Sequence, residues 1–381
     1  MNKLSTGILL KNIQNCTDLW SYLSKNTKHI VMYGMGNGAD KILSVCESYG
    51  IEVEDFFASD GFVRGHSFHG KTVLSYSDVK AKYGAENIIV LLSFASSLPD
   101  VLENIYKIAD ECELYAPDVP VFGNTLFTGE FYKDNYKKFS EVESLLADEE
   151  SIRIYREIIA YKLSGDINCL RRCQSNTVEA FEDILHAQNF EVYADLGAYN
   201  GDTIRSLLPY AKNLKAVHAF EPDVRNFRKL NEYYASLKHP SFELFAHNIG
   251  AWDCEDTLYF DKSGNRNAGL LQNASDFSEA INARAKKITE VKVNSLDNIL
   301  CGERVDYIKY DVEGSEFEAL MGSQKTIEKY APALLVSLYH RSEDMFELPL
   351  LLHKLNPNYK LYLRRMTYIP AWDINMYAVQ K

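Results

Sequence analysis

The segment from Asp195 to Thr203 (Asp-Leu-Gly-Ala-Tyr-Asn-Gly-Asp-Thr) joins a predicted strand to a predicted helix through a turn with two glycines. Glycines let a ligand approach the backbone, and the start of the helix offers unpaired N–H groups to an anion. The spacing is Gly197-x-x-x-Gly201, whereas a dinucleotide site has G-x-G-x-x-G. Asp195, two residues before the first glycine, suits a cationic group such as an amino-acid ammonium and would repel a pyrophosphate. The turn therefore favours a ligand with an amino-acid end.

Glu221 ends the next predicted strand, roughly two dozen residues after Gly197. A carboxylate at that place can accept hydrogen bonds from both hydroxyls of a ribose. A ligand with an amino-acid end and a ribose fits S-adenosylmethionine. The residues leave two alternatives open, which are NAD as the ligand and glycines that only form a turn.

Three further polar residues follow predicted strands. Asp311 ends the strand 305–310, Glu313 begins the next helix, and His340 follows the strand 333–338. Because ligands bind at the carboxyl edge of open α/β sheets, Asp311, Glu313 and His340 are the predicted catalytic residues. His340 could take a proton from a substrate hydroxyl. The alternatives are a structural histidine and, for Glu313, a favourable charge at a helix N-terminus.

The order of predicted elements indicates an α/β fold. Strands and helices alternate in the N-terminal third, polar helical segments follow, and the alternation resumes at Val192. The last two strands lie close together in sequence, which predicts an antiparallel edge on a mostly parallel sheet. A polar loop at 263–269 and the segment to Lys287 interrupt a predicted hairpin and could cap an acceptor. The predicted strands are 29–33, 51–57, 88–93, 192–196, 216–221, 242–246, 257–260, 288–293, 305–310, 333–338, 359–363 and 375–379.

Over about residues 190–381 the sequence resembles the FkbM family of S-adenosylmethionine-dependent methyltransferases, in its bacterial type with an N-terminal Rossmann-like domain. The resemblance implies a class I methyltransferase fold with a seven-stranded, mostly parallel sheet, and usually O-methylation of a hydroxyl. The stretches that carry it are Asp195–Thr203, Phe220-Glu-Pro222, Asn248-Ile-Gly-Ala-Trp252, Ile308-Lys-Tyr-Asp-Val-Glu-Gly-Ser-Glu316 and Ser337-Leu-Tyr-His-Arg-Ser-Glu-Asp344.

The same resemblance implies roles for individual residues. Glu221 would hold the ribose of S-adenosylmethionine, and Asn248 and Ala251 would meet its adenine. A turn residue that caps the strand is the alternative for Asn248. The expected acceptor is a hydroxyl on a sugar or other polar small molecule, in polysaccharide or natural-product biosynthesis. The residues expected at the methionine end are Asp195, Gly197, Tyr199 and Gly201.

The N-terminal segment Gly34-x-Gly36-x-x-Ala39 matches G-x-G-x-x-[GA] between a predicted strand and helix, and Asp60 follows about 20 residues later. Together with Gly38, these residues form a candidate nucleotide site. The domain could bind a nucleotide or nucleotide-sugar, dock a partner or second subunit, or have no ligand. Four nearby aromatic residues are expected in the core: Phe56, Phe57, Phe62 and Phe68.

The composition excludes several classes of protein. The 381 residues are 46% hydrophobic and carry a net charge of −12, which disfavours disorder, a nucleic-acid partner and adhesion to anionic membranes. No apolar run reaches the roughly 20 residues that span a bilayer. Seven scattered cysteines indicate free thiols in a cytoplasmic protein. The pair Cys169 and Cys173 is a poor zinc site, so no metal is predicted.

These observations predict three regions: a Rossmann-like domain at 1–128, a helical connector at 129–188 and a methyltransferase domain at 189–381. The predicted function is S-adenosylmethionine-dependent methylation, and the enzyme could form a homo-oligomer. Two alternatives are an NAD-dependent oxidoreductase that acts on a nucleotide-sugar, and a non-catalytic nucleotide-binding or scaffold protein.

Overall fold

A computed structural model describes residues 17–63, 65–261, 270–271 and 288–380. Two mostly parallel sheets lie in the two halves of the chain, with a run of helices between them in sequence. This arrangement confirms the predicted α/β class. The loop 263–269 and the segment to Lys287, predicted to cap an acceptor, lie outside the described residues apart from 270–271.

The N-terminal half contains a five-stranded parallel sheet. Its strand order is β5-β2-β1-β6-β7, and β3 pairs only with β4. β6 is a run of five apolar residues that are all buried, as expected for a strand covered on both faces. The predicted strand 51–57 begins later, because pairing with β1 starts at Asp55. The strands are β1 (His29–Tyr33), β2 (Asp55–Ala58), β3 (Ser67–Phe68), β4 (Lys71–Thr72), β5 (Leu74–Ser75), β6 (Ile88–Leu92) and β7 (Glu113–Tyr115).

Helices cover this sheet. They are α1 (Leu19–Leu23), α2 (Asn37–Ser48), α3 (Tyr76–Tyr83) and α4 (Pro99–Glu111), with 3-10 turns at Asp60–Phe62 and Ala85–Asn87. A capping box of Ser75 and Asp78 starts α3, and Pro99 starts α4. Phe56 and Phe57 are buried as predicted, but Phe62 is 69% exposed. The core prediction was wrong for Phe62, because this residue lies in the turn beyond the end of β2.

Helices also fill the predicted connector region. They are α5 (Gly129–Asp134), α6 (Tyr136–Leu145), α7 (Glu149–Ser164), α8 (Ile167–Arg172) and α9 (Thr177–Glu179), followed by a π-helical turn at Ala180–Ile184 and a 3-10 turn at Ala187–Asn189. Side-chain oxygens of Thr128, Asp148 and Asp166 cap the starts of α5, α7 and α8. Both Cys169 and Cys173 are buried free thiols, so this pair packs in the core.

The C-terminal half contains a seven-stranded sheet in the order β10-β9-β8-β15-β16-β18-β17. The first five strands are parallel, and β18 is antiparallel to both of its neighbours. This confirms the predicted antiparallel edge. The strands are β8 (Val192–Leu196), β9 (Ala216–Phe220), β10 (Glu243–His247), β15 (Tyr307–Tyr310), β16 (Ala333–Ser337), β17 (Lys360–Arg365) and β18 (Ile374–Val379).

A smaller sheet and six helices complete this half. The small sheet has the order β11-β14-β12-β13, and the antiparallel pair of β12 and β14 confirms the predicted hairpin. Its strands are β11 (Gly250–Ala251), β12 (Asp256–Asp261), β13 (Leu270–Leu271) and β14 (Ile288–Asn294). The helices are α10 (Asp202–Leu207), α11 (Val224–Ser236), α12 (Leu296–Leu300), α13 (Glu316–Met321), α14 (Gln324–Tyr330) and α15 (Asp344–Leu355). Among the helices within the described ranges, none has the length and apolar composition to cross a bilayer.

Two contacts join the N-terminal sheet to loops above the seven-stranded sheet. The Ser96 N–H donates to the Ile369 carbonyl at 2.9 Å, and the Ile369 N–H donates to the Ser96 carbonyl at 3.0 Å. The Lys41 ammonium on α2 donates to the carbonyls of Pro120 and Val121 at 3.1 and 2.8 Å. The N-terminal half therefore fixes two loops at the carboxyl edge of the second sheet.

Arg364 on β17 fixes the connector helices to the same sheet. Its guanidinium is buried and lies 2.7 Å from both Asp148 and Glu179, and it also donates to the Ser151 hydroxyl at 3.0 Å. A buried charge with this many partners is costly to disrupt, because its removal leaves those partners without a counter-ion.

We expect Arg364→Leu to lower the free energy of unfolding by about 2–3 kcal/mol, less than for a fully enclosed pair because both acids can be rehydrated. Urea denaturation followed by circular dichroism measures the effect. The matched control is Lys215→Leu, which removes an exposed pair with Glu191 and should cost less than about 1 kcal/mol. Equal midpoints for the two variants would contradict the role of Arg364.

Candidate functional site

The turn after β8 brings the ends of three strands together. Gly197 has a φ of 88°, and a Cβ atom built on it would lie 1.9 Å from the Asp311 carbonyl oxygen. Only glycine permits this approach between the ends of β8 and β15. The N–H groups of Gly197 and Ala198 donate to the Phe220 carbonyl at 3.1 and 2.9 Å. The turn is therefore also fixed to β9.

Gly201 allows a second close approach at the start of α10. It has a φ of 83°, and a Cβ atom there would lie 2.6 Å from the Tyr233 ring. The space beside both glycines, where the sequence predicts the approach of a ligand, is filled by protein atoms. Tyr199, between them, has a left-handed backbone and an exposed side chain.

A buried lysine lies between two acids at this point. Lys309 Nζ is 3.6 Å from Asp195 Oδ1 and 3.5 Å from Asp311 Oδ2, and it donates to the Gly197 carbonyl at 3.3 Å. Burial lowers the pKa of Lys309, but Asp311 and Asp195 outweigh burial and the net shift is upward. Lys309 is therefore a charged link between the glycine turn and Asp311.

Asp195 does not reach an open surface. Its side chain is fully buried, and its second oxygen accepts a hydrogen bond from the Thr203 hydroxyl at 2.5 Å. Burial raises the pKa of this carboxyl, and Lys309 opposes that shift. The position disfavours direct contact of Asp195 with a methionine group and favours a role in holding the turn.

His340 is fully buried among three carboxylates, and we call these four residues (Asp311, Glu313, Glu316 and His340) the acid cluster. Nδ1 of His340 lies 3.0 Å from Glu316, and Nε2 lies 3.5 Å from Glu313 and 3.6 Å from Asp311. Burial lowers the pKa of the imidazole, but the carboxylates outweigh burial and raise the pKa to about 10. Since a doubly protonated imidazole cannot accept a proton, the structure disfavours the predicted base role of His340. The structure favours a role for His340 as the counter-ion of the three carboxylates.

Glu313 is the most exposed member of the acid cluster, with a side chain 46% exposed. One side of this side chain is open to the cavity, but the surrounding protein removes enough water from its carboxyl, together with the negative charges of Asp311 and Glu316, to raise the pKa of Glu313 to about 7. The positive charge of His340 limits the rise. A carboxyl group with this pKa can take up and release a proton at neutral pH.

Asp311 remains an acceptor within the cluster. Burial raises the pKa of its carboxyl, but Lys309 and His340 outweigh burial and lower the pKa. The Tyr339 hydroxyl donates to Asp311 at 2.9 Å. Asp311 is therefore held ionised between two cations and one donor.

Three members of the acid cluster have the spacing of metal ligands. Donor atoms of Asp311, Glu316 and His340 lie within 4.8 Å of one another. Both nitrogens of His340 also lie 3.0–3.6 Å from carboxylate oxygens, the spacing of an ion-pair network.

Glu221 lies at the end of β9, beside the glycine turn. Its carboxylate is buried and accepts the Asp223 N–H at 2.7 Å, and burial raises its pKa to about 7. The Asn248 amide donates to the carbonyls of Glu221 and Pro222 at 2.8 and 3.2 Å, which supports the capping alternative for Asn248. Ala251 is buried in β11, so its backbone is engaged in the small sheet.

A cavity of about 460 Å³ lies next to the acid cluster. Part of its wall comes from α10 and part from the loops after β15, β16 and β17. Lys309 is the one cation among the lining residues that the structure describes. Four carboxylates line the same space: Asp202, Asp311, Glu313 and Asp373.

Aromatic rings from two loops form one side of this cavity. Trp372 stacks with Tyr368 at a ring-centroid distance of 5.7 Å and with Tyr339 at 6.4 Å. We call Tyr339, Tyr368 and Trp372 the aromatic wall. It gives the cavity an apolar face next to its acidic lining, because the Tyr339 hydroxyl donates to Asp311 and Trp372 directly precedes Asp373.

The N-terminal glycine loop is largely filled by protein atoms. A Cβ atom on Gly34 would lie 2.6 Å from the Phe94 ring, and one on Gly38 would lie 2.2 Å from the Ser93 carbonyl. Only beside Gly36, among these three glycines, does no atom of the described residues lie within 4 Å. The loop therefore presents a single open glycine.

Asp60, the acid of the candidate nucleotide site in the N-terminal half, has another partner. Asp60 accepts hydrogen bonds from the Ser77 N–H at 3.1 Å and from the Ser77 hydroxyl at 2.6 Å. The structure thus does not leave Asp60 free for a nucleotide, because both of its oxygens bind the first turn of α3.

Sequence reasoning missed Lys309 and the aromatic wall. Lys309 alternates with Tyr307 and Asp311 along and just beyond β15, and residues two apart point to the same face of a sheet. That period could have identified Lys309. The aromatic wall comes from separate loops, and nothing in the sequence indicates that these loops meet.

Residues 195–370 match the family model described as the methyltransferase FkbM domain. A comparison with curated protein sequences found no match.

A solved structure shares the fold over nearly the whole chain. The crystal structure of methyltransferase FkbM from Methylobacillus flagellatus KT has a TM-score of 0.69 at 17% identity, over 98% of this chain and 98% of that chain. An rRNA methylase from Streptococcus thermophilus has a TM-score of 0.33 at 13% identity, over 54% and 97% of the two chains. Fibrillarin from Aeropyrum pernix, with natively bound S-adenosyl-L-methionine, has a TM-score of 0.30 at 13% identity, over 51% and 68%. The comparisons therefore show the fold of this chain, and residues 195–370 match the model of the FkbM methyltransferase domain.

Proposed function

We propose that the chain is an S-adenosylmethionine-dependent O-methyltransferase whose acceptor is a hydroxyl of a sugar or another polar small molecule. The observation that supports this most is the position of Glu313, a carboxyl with a pKa of about 7, on a cavity beside the glycine turn of a methyltransferase domain.

The residues around the glycine turn fit S-adenosylmethionine. The Glu221 carboxylate is buried, with one oxygen engaged by the Asp223 N–H, and ribose hydroxyls would supply further donors. Tyr199 offers an exposed ring beside it. When bound, this cofactor supplies a methyl group activated by a positively charged sulfur. Asp195 and Lys309 contribute by holding the turn.

Glu313 is the proposed general base. In its ionised form it accepts the proton of the acceptor hydroxyl as the oxygen attacks the methyl carbon. His340 is the counter-ion that keeps Asp311 and Glu313 together in one small volume. The cavity walls orient the acceptor and exclude water. Asp311 can accept a hydrogen bond from the same hydroxyl and orient it.

The oxidoreductase alternative has little support in the N-terminal half. The Phe94 ring covers Gly34, and Asp60 is engaged by Ser77. A pyrophosphate needs a close approach to the backbone of the glycine loop, and of Gly34, Gly36 and Gly38 only Gly36 has open space at its Cβ position.

We expect Glu221→Ala to weaken the binding of S-adenosylmethionine by about 10-fold to 100-fold, because hydrogen bonds to a charged group contribute about 1.5–3 kcal/mol. Isothermal titration calorimetry measures the change. The control is Glu243→Ala, which alters an exposed acid on the neighbouring strand β10 and should leave the affinity unchanged. An unaltered affinity in Glu221→Ala would remove this residue from the proposed site.

For Glu313→Gln we expect methyl transfer to slow by about 100-fold or more, with little change in cofactor affinity, because the base is lost and the cofactor contacts remain. Transfer of radiolabel from S-adenosylmethionine to a panel of monosaccharides and methyl glycosides measures the rate. The control, Glu318→Gln, changes an acid of α13 outside the acid cluster.

The pH profile provides a second test of the same residue. The pKa of Glu313 is raised to about 7, so its ionised form accumulates as the pH increases through that value. The groups that face Glu313 are Asp311, Glu316, His340 and Lys309; the pKa of Asp311 is lowered, and the pKa values of His340 and Lys309 are raised above 7. The rate of the unmodified enzyme should therefore rise between about pH 6 and 8. The rate is measured at saturating S-adenosylmethionine, because the pKa of Glu221 in the proposed cofactor site is also raised to about 7. If Glu313→Gln keeps the same rising limb under that condition, another group is the base.

A further inference from the structure

The cavity beside the acid cluster has an unusual balance of charge and shape. Four carboxylates line it, against the single cation Lys309 among the described lining residues. Lys309 is itself flanked by Asp195 and Asp311 at 3.6 and 3.5 Å, so its charge is already balanced within the protein. The carboxylates of Asp202 and Asp373 have no cation at ion-pair distance among the described residues.

The positive charge of His340 does not remove this excess of negative charge. His340 is fully buried behind Asp311 and Glu313 and lies 3.0 Å from Glu316. Its charge is shared by three carboxylates, so it neutralises at most part of the acid cluster. An anion in the cavity would face Asp202 and Asp373 without a neighbouring cation, beside an acid cluster that His340 neutralises only in part, and would be repelled.

The aromatic wall limits the shape of the ligand. Trp372 is half-buried and presents its ring between those of Tyr339 and Tyr368. Aromatic faces carry a negative quadrupole and attract cations and polarised C–H groups. A ring with hydroxyls on its edge and C–H groups on its face matches a cavity with aromatic and acidic sides.

We propose that the group which enters this cavity is a saturated, hydroxyl-bearing ring without phosphate or carboxylate, and that an ammonium substituent on that ring strengthens binding. This inference rests on the proposed function for its reaction, since it specifies the acceptor of the methyl group. An acceptor that carries a phosphate elsewhere must keep the phosphate outside the cavity.

The test compares three sugars of one ring type: D-glucosamine, D-glucose and D-glucose 6-phosphate. The full chain is saturated with S-adenosylhomocysteine, and each sugar is titrated while tryptophan fluorescence is recorded. We expect glucosamine to bind about threefold or more tighter than glucose, and glucose 6-phosphate about tenfold or more weaker than glucose. Trp372→Phe should abolish the signal, which separates it from the signals of Trp20 and Trp252.

A charge-neutral variant provides the matched comparison. Asp373→Asn removes one lining carboxylate, so the ratio of the two dissociation constants, for glucose 6-phosphate and glucosamine, should fall by about threefold or more. Tighter binding of glucose 6-phosphate than of glucosamine would overturn the inference. The inference would also be overturned if glucosamine caused no change in tryptophan fluorescence up to about 50 mM, because a dissociation constant above that concentration means negligible binding.

The same titration distinguishes this inference from the proposed function. Binding of S-adenosylhomocysteine is measured first, by calorimetry. Failure at that step counts against the methyltransferase proposal, whereas normal cofactor binding with the reverse order of sugars counts only against the assignment of the acceptor.

Discussion

The ion triad of Asp195, Lys309 and Asp311 is the interaction on which the site depends. It lies where β8 and β15 end, at the point where Gly197 lets the two backbones touch. A buried ammonium between two carboxylates is stable only with partners on both sides, because an unpaired buried charge is costly. The triad therefore fixes the distance between the proposed cofactor turn and the acid cluster. Neither part can shift without disrupting the other.

In the acid cluster, neighbouring charges and burial give chemically similar groups different pKa values. Glu313 and Asp311 are both carboxylates at the same sheet edge, yet burial raises the pKa of Glu313, whereas Lys309 and His340 hold the pKa of Asp311 down. His340 has an imidazole that in water would titrate near neutrality, but its three carboxylate neighbours keep it protonated. A separation of pKa values within one site is typical of functional sites. It divides the proposed tasks into one base, one fixed acceptor and one counter-ion.

Much of the fold could be predicted from the sequence, because buried strands of parallel sheets are continuous apolar runs and their spacing determines the order of elements. The sequence identifies candidate site residues, but it does not predict how they are arranged in space or which of them are protonated. Sequence position placed His340 at the correct edge, but the protonation of its ring depends on Glu316 and Glu313, which face its two nitrogens in space. The need for glycine at position 197 could not be predicted from the sequence either. The atom that leaves no space for a side chain there is the carbonyl oxygen of Asp311, which lies more than a hundred residues away in the chain. Asp60 has the spacing expected of an acid in a nucleotide site, but its two oxygens accept hydrogen bonds from the N–H and hydroxyl of Ser77.

The paired backbone bonds between Ser96 and Ile369 have a consequence for how such enzymes diversify. Ile369 lies between Tyr368 and Trp372, two rings of the aromatic wall, so an insertion in the loop after β6 would displace them. Val121 also lines the cavity, and Lys41 binds the carbonyls of Pro120 and Val121. Changes in the first half of the chain can therefore alter which molecules fit in the cavity of the second half, while the residues of the acid cluster stay the same.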